Sequence, residues 1–384
     1  MAPLSSVRVL EFAGLGPAPF CGMMLADMGA EVIRIEVASA VANAQRPRDP
    51  LQRSRRSIAL DLKKPAGIEI ALELVASSDI LLEGFRPGVL ERLGLGPQPC
   101  LERNPRLVYG RMTGWGQDGP LARKAGHDIN YIALAGALHL IGSPGGKPIP
   151  PLNLIGDFGG GGMLLAVGVL GAVLQARQSG HGQVVDASMV DGTAAMLAMF
   201  FGFRAESYFR DATGENFLGG GAPYYDTYRT SDDKYVAIGA IEPQFFLALL
   251  DKLDISRARF GAVGYPNLDA QTICNWPELR SEIANRIRTR TRDEWSVVFA
   301  DVDACVAPVL SVEEAVRHPH NVARRTFIEV DGVVQNAPAP RFSGSAAPTP
   351  RPPRLAGEDT DAILEDRGFT RDRIAALRAA GVLS

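Results

Sequence analysis

The chain has 384 residues, 46% of them hydrophobic and 22% charged, and its formal net charge is −3. This length suffices for two domains, because one hydrophobic core rarely grows past roughly 250–300 residues. The slightly acidic balance argues against a nucleic-acid-binding protein, which would present a basic face.

Four cysteines, Cys21, Cys100, Cys274 and Cys305, lie far apart and form no C-x-x-C pair. We therefore expect free thiols in a reducing compartment rather than a zinc site or a disulfide framework. The N-terminus lacks a basic-then-apolar signal sequence, and the longest apolar run, Met163–Leu174, is shorter than the roughly 20 residues of a spanning helix. We predict a cytoplasmic protein that binds neither a membrane nor nucleic acid.

The first 115 residues alternate strand-like and helix-like segments, which is typical of an α/β fold. The predicted strands are Val7–Phe12, Glu31–Glu36, Ile80–Glu83 and Leu107–Met112, and the predicted helices are Phe20–Met28, Ala66–Ser77 and Val89–Leu93. A dinucleotide site after the first strand is disfavoured, because Pro17 and Pro19 have no N–H to donate to a pyrophosphate.

A basic stretch, residues 46–64, follows the second predicted strand. It contains Arg46, Arg48, Arg53, Arg55, Arg56, Lys63 and Lys64. Clustered arginines near the carboxyl end of a parallel strand are suited to phosphate groups. The alternative is a solvated loop, and the sequence leaves both interpretations open.

Changes in composition predict the domain boundaries. Residues 1–207 form a large Rossmann-like domain that is completed by 326–384, and 222–325 form a smaller α/β domain. The polar, glycine-rich residues 208–221 read as a linker. Six prolines within 337–354 predict an extended strap.

Residues 126–162 contain the strongest candidates for chemistry. His127 stands in G-H-D-I-N-Y, and Asp157 precedes four glycines that lead into predicted apolar helices, Met163–Arg177 and then Met189–Ala205. A base with a near-neutral pKa and a carboxyl at a turn rich in N–H groups are suited to moving a carbon-bound proton. The alternative is structural, with His127 capping a helix and Asp157 acting as an ordinary N-cap.

Several motifs together resemble the α-methylacyl-CoA racemase branch of the family III CoA-transferase superfamily. They cover nearly the whole chain, and G-H-D-I-N-Y with N-L-x-x-D-F-G-G-G is specific to that branch. The matching stretches are R-S-I-A-L-D-L-K (56–63), R-M-T-G-W-G-Q (111–117), G-H-D-I-N-Y (126–131), P-P-L-N-L-I-G-D-F-G-G-G (150–161), G-A-P-Y-Y-D-T-Y (221–228), I-E-P-Q-F (241–245) and P-A-P-R-F-S (338–343).

The resemblance implies an enzyme that inverts the α-carbon of 2-methylacyl-CoA thioesters through an enolate, with His127 and Asp157 as the two bases. Asn153 and Glu242 would support them, Glu242 from the partner subunit. The resemblance also implies an interlocked homodimer of ring-shaped chains. It implies no metal and no redox cofactor, since coenzyme A is part of the substrate.

The same resemblance predicts the residues that contact coenzyme A. They are Ala59, Leu60, Asp61, Leu62, Glu83, Gly84, Phe85, Arg86, Arg92, Gly126, Asp128, Ile129, Asn130 and Tyr131. One departure is Val37, because relatives carry there an arginine that contacts the nucleotide. Either the arginines of the basic stretch compensate, or the adenine end binds more weakly.

The mechanism makes a demand on Asp157. Free histidine and aspartate differ in pKa by about 2.6 units, which favours imidazolium and carboxylate by roughly 3.5 kcal/mol. An enzyme that works in both directions needs a smaller gap, and burial of Asp157 would raise its pKa.

Two alternatives to a racemase remain. The first is a CoA-transferase that uses Asp157 as its nucleophile, a mechanism in which His127 has no obvious role. The second is a CoA-thioester-binding protein without catalysis. This alternative is disfavoured because the chain retains His127, Asn153, Asp157 and Glu242. The sequence does not specify the acyl chain.

Overall fold

The computed structural model describes residues 1–42, 45–206 and 208–384, so the predicted boundary at residue 207 lies outside the described residues. The chain divides into two units. The first comprises Met1–Ala135, Leu152–Met196 and Val322–Ser384, and the second comprises Gly136–Pro151 and Leu197–Asn321.

The secondary structure is mixed. The strands are β1 (Arg8–Phe12), β2 (Glu31–Val37), β3 (Arg56–Leu60), β4 (Ile80–Glu83), β5 (Val108–Thr113), β6 (Val184–Ser188), β7 (Tyr225–Arg229), β8 (Tyr235–Gly239), β9 (Val306–Pro308), β10 (Phe327–Val330) and β11 (Val333–Asn336). The α-helices are α1 (Pro17–Asp27), α2 (Pro65–Ala76), α3 (Val89–Arg92), α4 (Pro97–Arg103), α5 (Asp128–Leu134), α6 (Ala137–Leu140), α7 (Leu164–Ser179), α8 (Met189–Met196), α9 (Ala198–Ala205), α10 (Pro243–Lys252), α11 (Arg257–Phe260), α12 (Ala270–Ile273), α13 (Trp276–Ile287), α14 (Arg292–Val298), α15 (Val312–Arg317), α16 (Pro319–Arg324), α17 (Thr360–Asp366) and α18 (Arg371–Ala379). A π-helix, Leu154–Met163, runs directly into α7.

A parallel six-stranded sheet with the order β3-β2-β1-β4-β5-β6 organises the first unit. Alternate strand residues enter two separate cores, for example Val9 on one face and Leu10 on the other. Helices α1 and α7 cover the first face, whereas α2, α17 and α18 cover the second. Burial on both faces is what a parallel sheet requires, and the predicted Rossmann-like α/β class is confirmed.

The second unit contains an antiparallel sheet with the order β7-β8-β9. Its own core gathers aromatic residues of the sheet and of the helices packed on it, such as Tyr224, Phe246 and Trp276. Residues 136–151, which the sequence analysis assigned to the large domain, belong to this unit. Hydrogen bonds tie them to residues 213–214, with Gly214 N donating to Leu140 O at 3.2 Å and Thr213 Oγ1 donating to His139 O at 2.8 Å.

The predicted strands of the first 115 residues agree with β1, β2, β4 and β5 within about two residues, and β3 and the β10–β11 hairpin were missed. The missed strand β3 begins inside the basic stretch. There, Ile58, Ala59 and Leu60 are fully buried, and the C-terminal segment covers the edge of the sheet, because Asp61 N donates to Val382 O at 2.9 Å. The predicted helix Met189–Ala205 is two helices, separated at Leu197.

The helical stretch Leu154–Ser179 has 26 residues and contains an 18-residue window with a mean hydropathy of 1.7, so its length and composition would allow it to cross a membrane. The expectation that the apolar run is too short was therefore wrong for the helix as a whole. Core helices of soluble proteins share these properties. In this structure Leu165 and Val169 are fully buried against the parallel sheet.

The basic stretch is not an open phosphate site at its centre, and that interpretation was wrong for Arg53 and Arg55. Both side chains are buried. Arg53 Nε donates to Asp27 Oδ1 at 3.0 Å and its Nη1 donates to Gln335 Oε1 at 2.8 Å, while Arg55 Nε donates to Glu11 Oε2 at 3.1 Å. These arginines join β1 and α1 to the β11 strand from inside the unit.

Arg53→Met should lower the free energy of unfolding by about 3–5 kcal/mol, because it leaves Asp27 buried without its ionic partner. Arg48→Met removes an exposed arginine of the same stretch and should leave stability nearly unchanged. Urea unfolding measures both variants. Equal, small losses of stability in the two variants would contradict the structural role of Arg53. Weaker acyl-CoA binding by Arg53→Met at unchanged stability would restore the phosphate interpretation.

Candidate active site

A cavity of about 490 Å³ opens at the carboxyl ends of β1, β4 and β5. The loops that follow these strands line it with Gly16, Arg86 and Trp115, among others. The strand order reverses between β1 and β4, and open α/β sheets bind ligands at such a switch point. His127, Asn153 and Asp157 all line this cavity.

His127 occupies the N-cap position of α5, and its backbone N–H donates to Asn130 Oδ1 at 3.1 Å. Its imidazole belongs to the wall of the cavity and is exposed. Tyr131, one turn further on, packs edge-on against Trp115 with ring centroids 4.7 Å apart. A Cβ at Gly114 or Gly126 would collide with the Tyr131 ring, so both glycines are needed to seat α5 against the cavity.

The four glycines after Asp157 do not form the predicted turn, because they lie inside the π-helix. A Cβ on Gly160 would lie 2.7 Å from Thr193 N, and one on Gly162 would lie 2.6 Å from Pro17 O. The glycines therefore allow the π-helix to pack backbone to backbone against α8 and the start of α1. Rare π-helical turns are frequent at functional sites.

Asp157 lies in the first turn of the π-helix and is partly buried. Asn153 Nδ2 donates to Asp157 Oδ2 at 2.9 Å, and Asp157 N donates to Asp128 Oδ1 at 2.7 Å. Burial raises the pKa of Asp157 above its ordinary value, and the Asp128 charge adds to this, while the Asn153 hydrogen bond and His127 oppose it. This shift has the direction that the two-base argument required.

The residues predicted to contact coenzyme A fall into two groups. Gly84, Phe85, Arg86, Gly126 and Tyr131 line the cavity. The cavity does not include Ala59, Leu60, Asp61, Leu62, Glu83, Arg92, Asp128, Ile129 and Asn130. Those residues remain predicted contacts for parts of the ligand outside the cavity.

Several of the residues outside the cavity have partners within the protein. Ala59 and Leu60 are fully buried in β3. Glu83, also buried, accepts from Phe85 N at 2.8 Å and from Arg111 Nε at 2.9 Å, so it shapes the loop that carries Arg86. Burial raises the pKa of Glu83.

Glu242 and Val37 lie elsewhere in the described chain. Glu242 belongs to the second unit, where it is the N-cap residue of α10 and is exposed. Val37 ends β2 and is 58% exposed. An apolar side chain in water at this position contributes no charge toward a nucleotide.

The sequence analysis missed several residues of the cavity wall. Lys124, Phe158 and Met189 line it together with Gly16. Gly16 has a φ of 71°, and a Cβ there would lie 3.3 Å from Asp157 Oδ2. The G-L-G loop after β1 was a signal for Gly16, whereas nothing in the sequence singled out Lys124.

Among the residues that the structure describes, no group of three histidine, cysteine, aspartate or glutamate side chains is arranged to hold a metal ion. The side chains around the cavity that can exchange protons include His127, Asp157, Tyr131 and Lys124. Proton transfer is the chemistry that this set supports most directly.

The chain belongs to CoA-transferase family III, whose model matches residues 4–360. It is 42% identical to the α-methylacyl-CoA racemase of mouse, covering 98% of this chain and 96% of that protein. The human α-methylacyl-CoA racemase is also 42% identical, with 99% of this chain and 97% of that protein covered. The resemblance identified from the motifs is thereby confirmed.

A solved structure has the same fold. The crystal structure of a CaiB/BaiF family protein from Brucella suis superposes with a TM-score of 0.80 at 24% identity, covering 95% of this chain and 99% of that one. This likeness supports the fold as described above.

Asp157→Asn should raise the free energy of unfolding at pH 7. The folded chain binds the Asp157 proton more tightly than the unfolded chain, so the ionised carboxylate lowers stability above its folded-state pKa. The gain should shrink as the pH falls and vanish below about 3.8, where both states are protonated. Thermal unfolding between about pH 3 and about pH 8 measures this gain in stability.

Asp118→Asn, which neutralises an exposed carboxylate, is the matched control and should show no such pH-dependent gain. An Asp157→Asn protein that is equally or less stable than wild type at pH 7 would contradict the electrostatic cost assigned to Asp157.

Proposed function

We propose that this protein is an isomerase that racemises the α-carbon of 2-methylacyl-CoA thioesters. The observation that carries the proposal is the pair His127 and Asp157, which line one cavity at the switch point of the sheet. Asp157 has a raised pKa there, as a reversible proton shuttle needs. The 42% identity to racemases over nearly the whole chain supports the same reaction.

In the proposed reaction, one base removes the α-proton and the C–H electron pair moves into the thioester as an enolate. The other base then delivers its proton to the opposite face, and the carbonyl is restored. In the reverse direction the two bases exchange roles. The raised pKa of Asp157 makes the state that carries the proton on this carboxyl less disfavoured than it would be for an exposed aspartate.

We propose that the reaction needs no metal and no redox cofactor. The thioester itself stabilises the carbanion, and proton transfer requires only the two bases. Coenzyme A is part of the substrate, and the cationic side chains Arg86 and Lys124 at the cavity are suited to its phosphates. The four cysteines are free thiols, which agrees with the proposed cytoplasmic location.

We also propose a homodimer in which Glu242 of one chain completes the site of the other. The surface of the helical stretch supports an assembly, because Met163 at the end of the π-helix and Val167 and Leu174 of α7 are 48%, 70% and 65% exposed. These positions share one face of the helical stretch. Water-exposed apolar faces of this kind are typical of protein interfaces.

A CoA-transferase is the second candidate, because the matching family is named for that activity. In that reaction Asp157 would attack the thioester as a carboxylate, and a free acid would then accept the coenzyme A. His127 distinguishes the two candidates, since the nucleophilic route does not need a second base beside Asp157.

One enantiomer of a 2-methylacyl-CoA, incubated with the protein in heavy water without a second acid, should take up deuterium at the α-carbon and approach equal enantiomers. The two bases exchange their protons with solvent between turnovers, so racemisation and labelling proceed together. The assay includes a chelator, which should not slow the reaction. Mass spectrometry and chiral analysis measure the outcome.

The same assay tests the two bases separately. His127→Ala should lose exchange from one enantiomer and Asp157→Ala from the other, and both should lose racemisation by at least about 100-fold. Transfer of coenzyme A to an added free acid without α-deuterium would reject the racemase and establish the transferase.

Mixing two inactive variants should restore activity if sites are shared between chains. His127→Ala and Glu242→Ala, unfolded and refolded together, form mixed dimers in which one site has both residues intact. Random pairing should recover about one quarter of wild-type activity. Each variant refolded alone is the control, and mixed dimers without activity would contradict a site that Glu242 completes from the partner.

A further inference from the structure

We propose that Asp128 is a positioning residue for the two-base reaction, because its buried carboxylate accepts the backbone N–H of Asp157 and holds that residue in place. This inference deepens the proposed function and rests on it. The family resemblance assigned Asp128 to coenzyme A binding, but the contacts of its side chain are with the catalytic segment.

The geometry links Asp128 to both bases. Asp128 is the first residue of α5 and directly follows His127 in the chain. Its side chain is 6% exposed, and its Oδ1 accepts the backbone N–H of Asp157 at 2.7 Å. One carboxylate therefore connects the start of α5 to the first turn of the π-helix, so it fixes the spacing between the two bases.

The glycine at position 156 leaves room for the contact between Asp128 and Asp157. A Cβ on Gly156 would lie 2.6 Å from Asp128 Oδ1 and 3.1 Å from Ile132 Cγ2. Only glycine at position 156 allows the carboxylate to reach the Asp157 N–H without a shift of the backbone. Gly156 thus belongs to the same arrangement as Asp128.

The second oxygen of Asp128 gives the arrangement its electrostatic effect. Asp128 Oδ2 is buried and has no hydrogen-bond donor in the part of the chain that the structure describes. A buried carboxylate oxygen without a donor costs stability, and a negative charge near Asp157 disfavours a second one. Burial raises the pKa of Asp157 most, and Asp128 raises it further.

Other charged groups around Asp157 come from several elements. Lining the cavity are His127 and Tyr131 of the α5 region and Arg86 and Lys124 of the loops. The elements that contact the π-helix carry Asp191 on α8, Arg111 on β5 and Asp186 on β6, and none of these three shifts the pKa of Asp157. The cavity-lining residues of α1, Pro17 and Ala18, are uncharged. Asp128 and His127 are the charges that shift the pKa of Asp157, in opposite directions.

This assigns a role in turnover to Asp128. One proton is shared between His127 and Asp157 in the working enzyme, and the two directions of the reaction begin from different locations of that proton. The Asp128 charge increases the share of enzyme that carries it on Asp157. Without that charge a smaller share of the enzyme would carry the proton on Asp157, and both directions would slow together because they are coupled by one equilibrium.

The test is the pH profile of kcat/KM for racemisation in Asp128→Asn. Asparagine retains an oxygen for the Asp157 N–H but carries no charge. We expect the acid limb to move to lower pH and the plateau to fall by about threefold to tenfold for each unit of that movement. Asp128→Ala, which also removes the acceptor, should lose more at every pH.

Asp118→Asn is the control, because it removes one exposed negative charge from the same unit, and it should keep the wild-type limb and plateau. A uniform loss in Asp128→Asn with an unmoved acid limb would reduce Asp128 to a structural role and overturn the inference. An unchanged profile would overturn it as well.

A second readout does not need turnover. With ¹³C-labelled aspartate, the Asp157 carboxyl signal is identified by its disappearance in Asp157→Asn. It should titrate above the ordinary value of 3.8 in wild type and at lower pH in Asp128→Asn. A wild-type protein that does not racemise rejects the proposed function, whereas a racemising wild type whose Asp157 titrates identically in Asp128→Asn rejects this inference alone.

Discussion

The close backbone contact between the π-helix and its neighbours determines where the chemistry can occur. A Cβ on Gly192 of α8 would lie 1.8 Å from Gly160 O, and a Cβ on Gly162 would lie 2.6 Å from Pro17 O. No other residue type fits at such distances, so the glycine run is a packing requirement. The result is that the first turn of the π-helix lies over the carboxyl ends of the strands. Asp157 therefore faces the cavity that His127 lines from α5.

This packing has an electrostatic consequence. The carboxyl of Asp157 loses water where it packs at the carboxyl ends of the strands. The hydrogen bond from Asn153 does not fully compensate for this loss, so the pKa of Asp157 rises. The buried pair Arg53 and Asp27 differs from this site. There, the burial of each charge is matched by an ionic partner and several hydrogen bonds. One buried group is fully paired and stabilises the fold. The partly buried carboxyl of Asp157 has no ionic partner of this kind among the described residues, and active sites commonly carry such a cost in stability.

The parts that sequence reasoning predicted well are those governed by local pattern. Strands β1, β2, β4 and β5 have apolar runs bounded by turn residues, and α1 begins after a G-L-G-P loop with Pro17 at its first position. His127 and Asp157 were identifiable by residue type and by the motifs around them. Four glycines in a row indicate a turn by propensity, and only contacts with α8 and α1 make them helical. Arg53 and Arg55 looked like a charge run because their partners, Asp27 and Glu11, lie 26 and 44 residues away along the chain.

The raised pKa of Asp157 also bears on how one scaffold can serve two reactions. A carboxylate nucleophile acts only when ionised, so burial that favours the protonated form removes part of the reactive species at neutral pH. A proton shuttle uses both forms in alternation, and the same burial brings its two bases closer in strength. In this chain the burial of Asp157, the nearby Asp128 charge and the presence of His127 in the same cavity support the proposed proton transfer over nucleophilic attack.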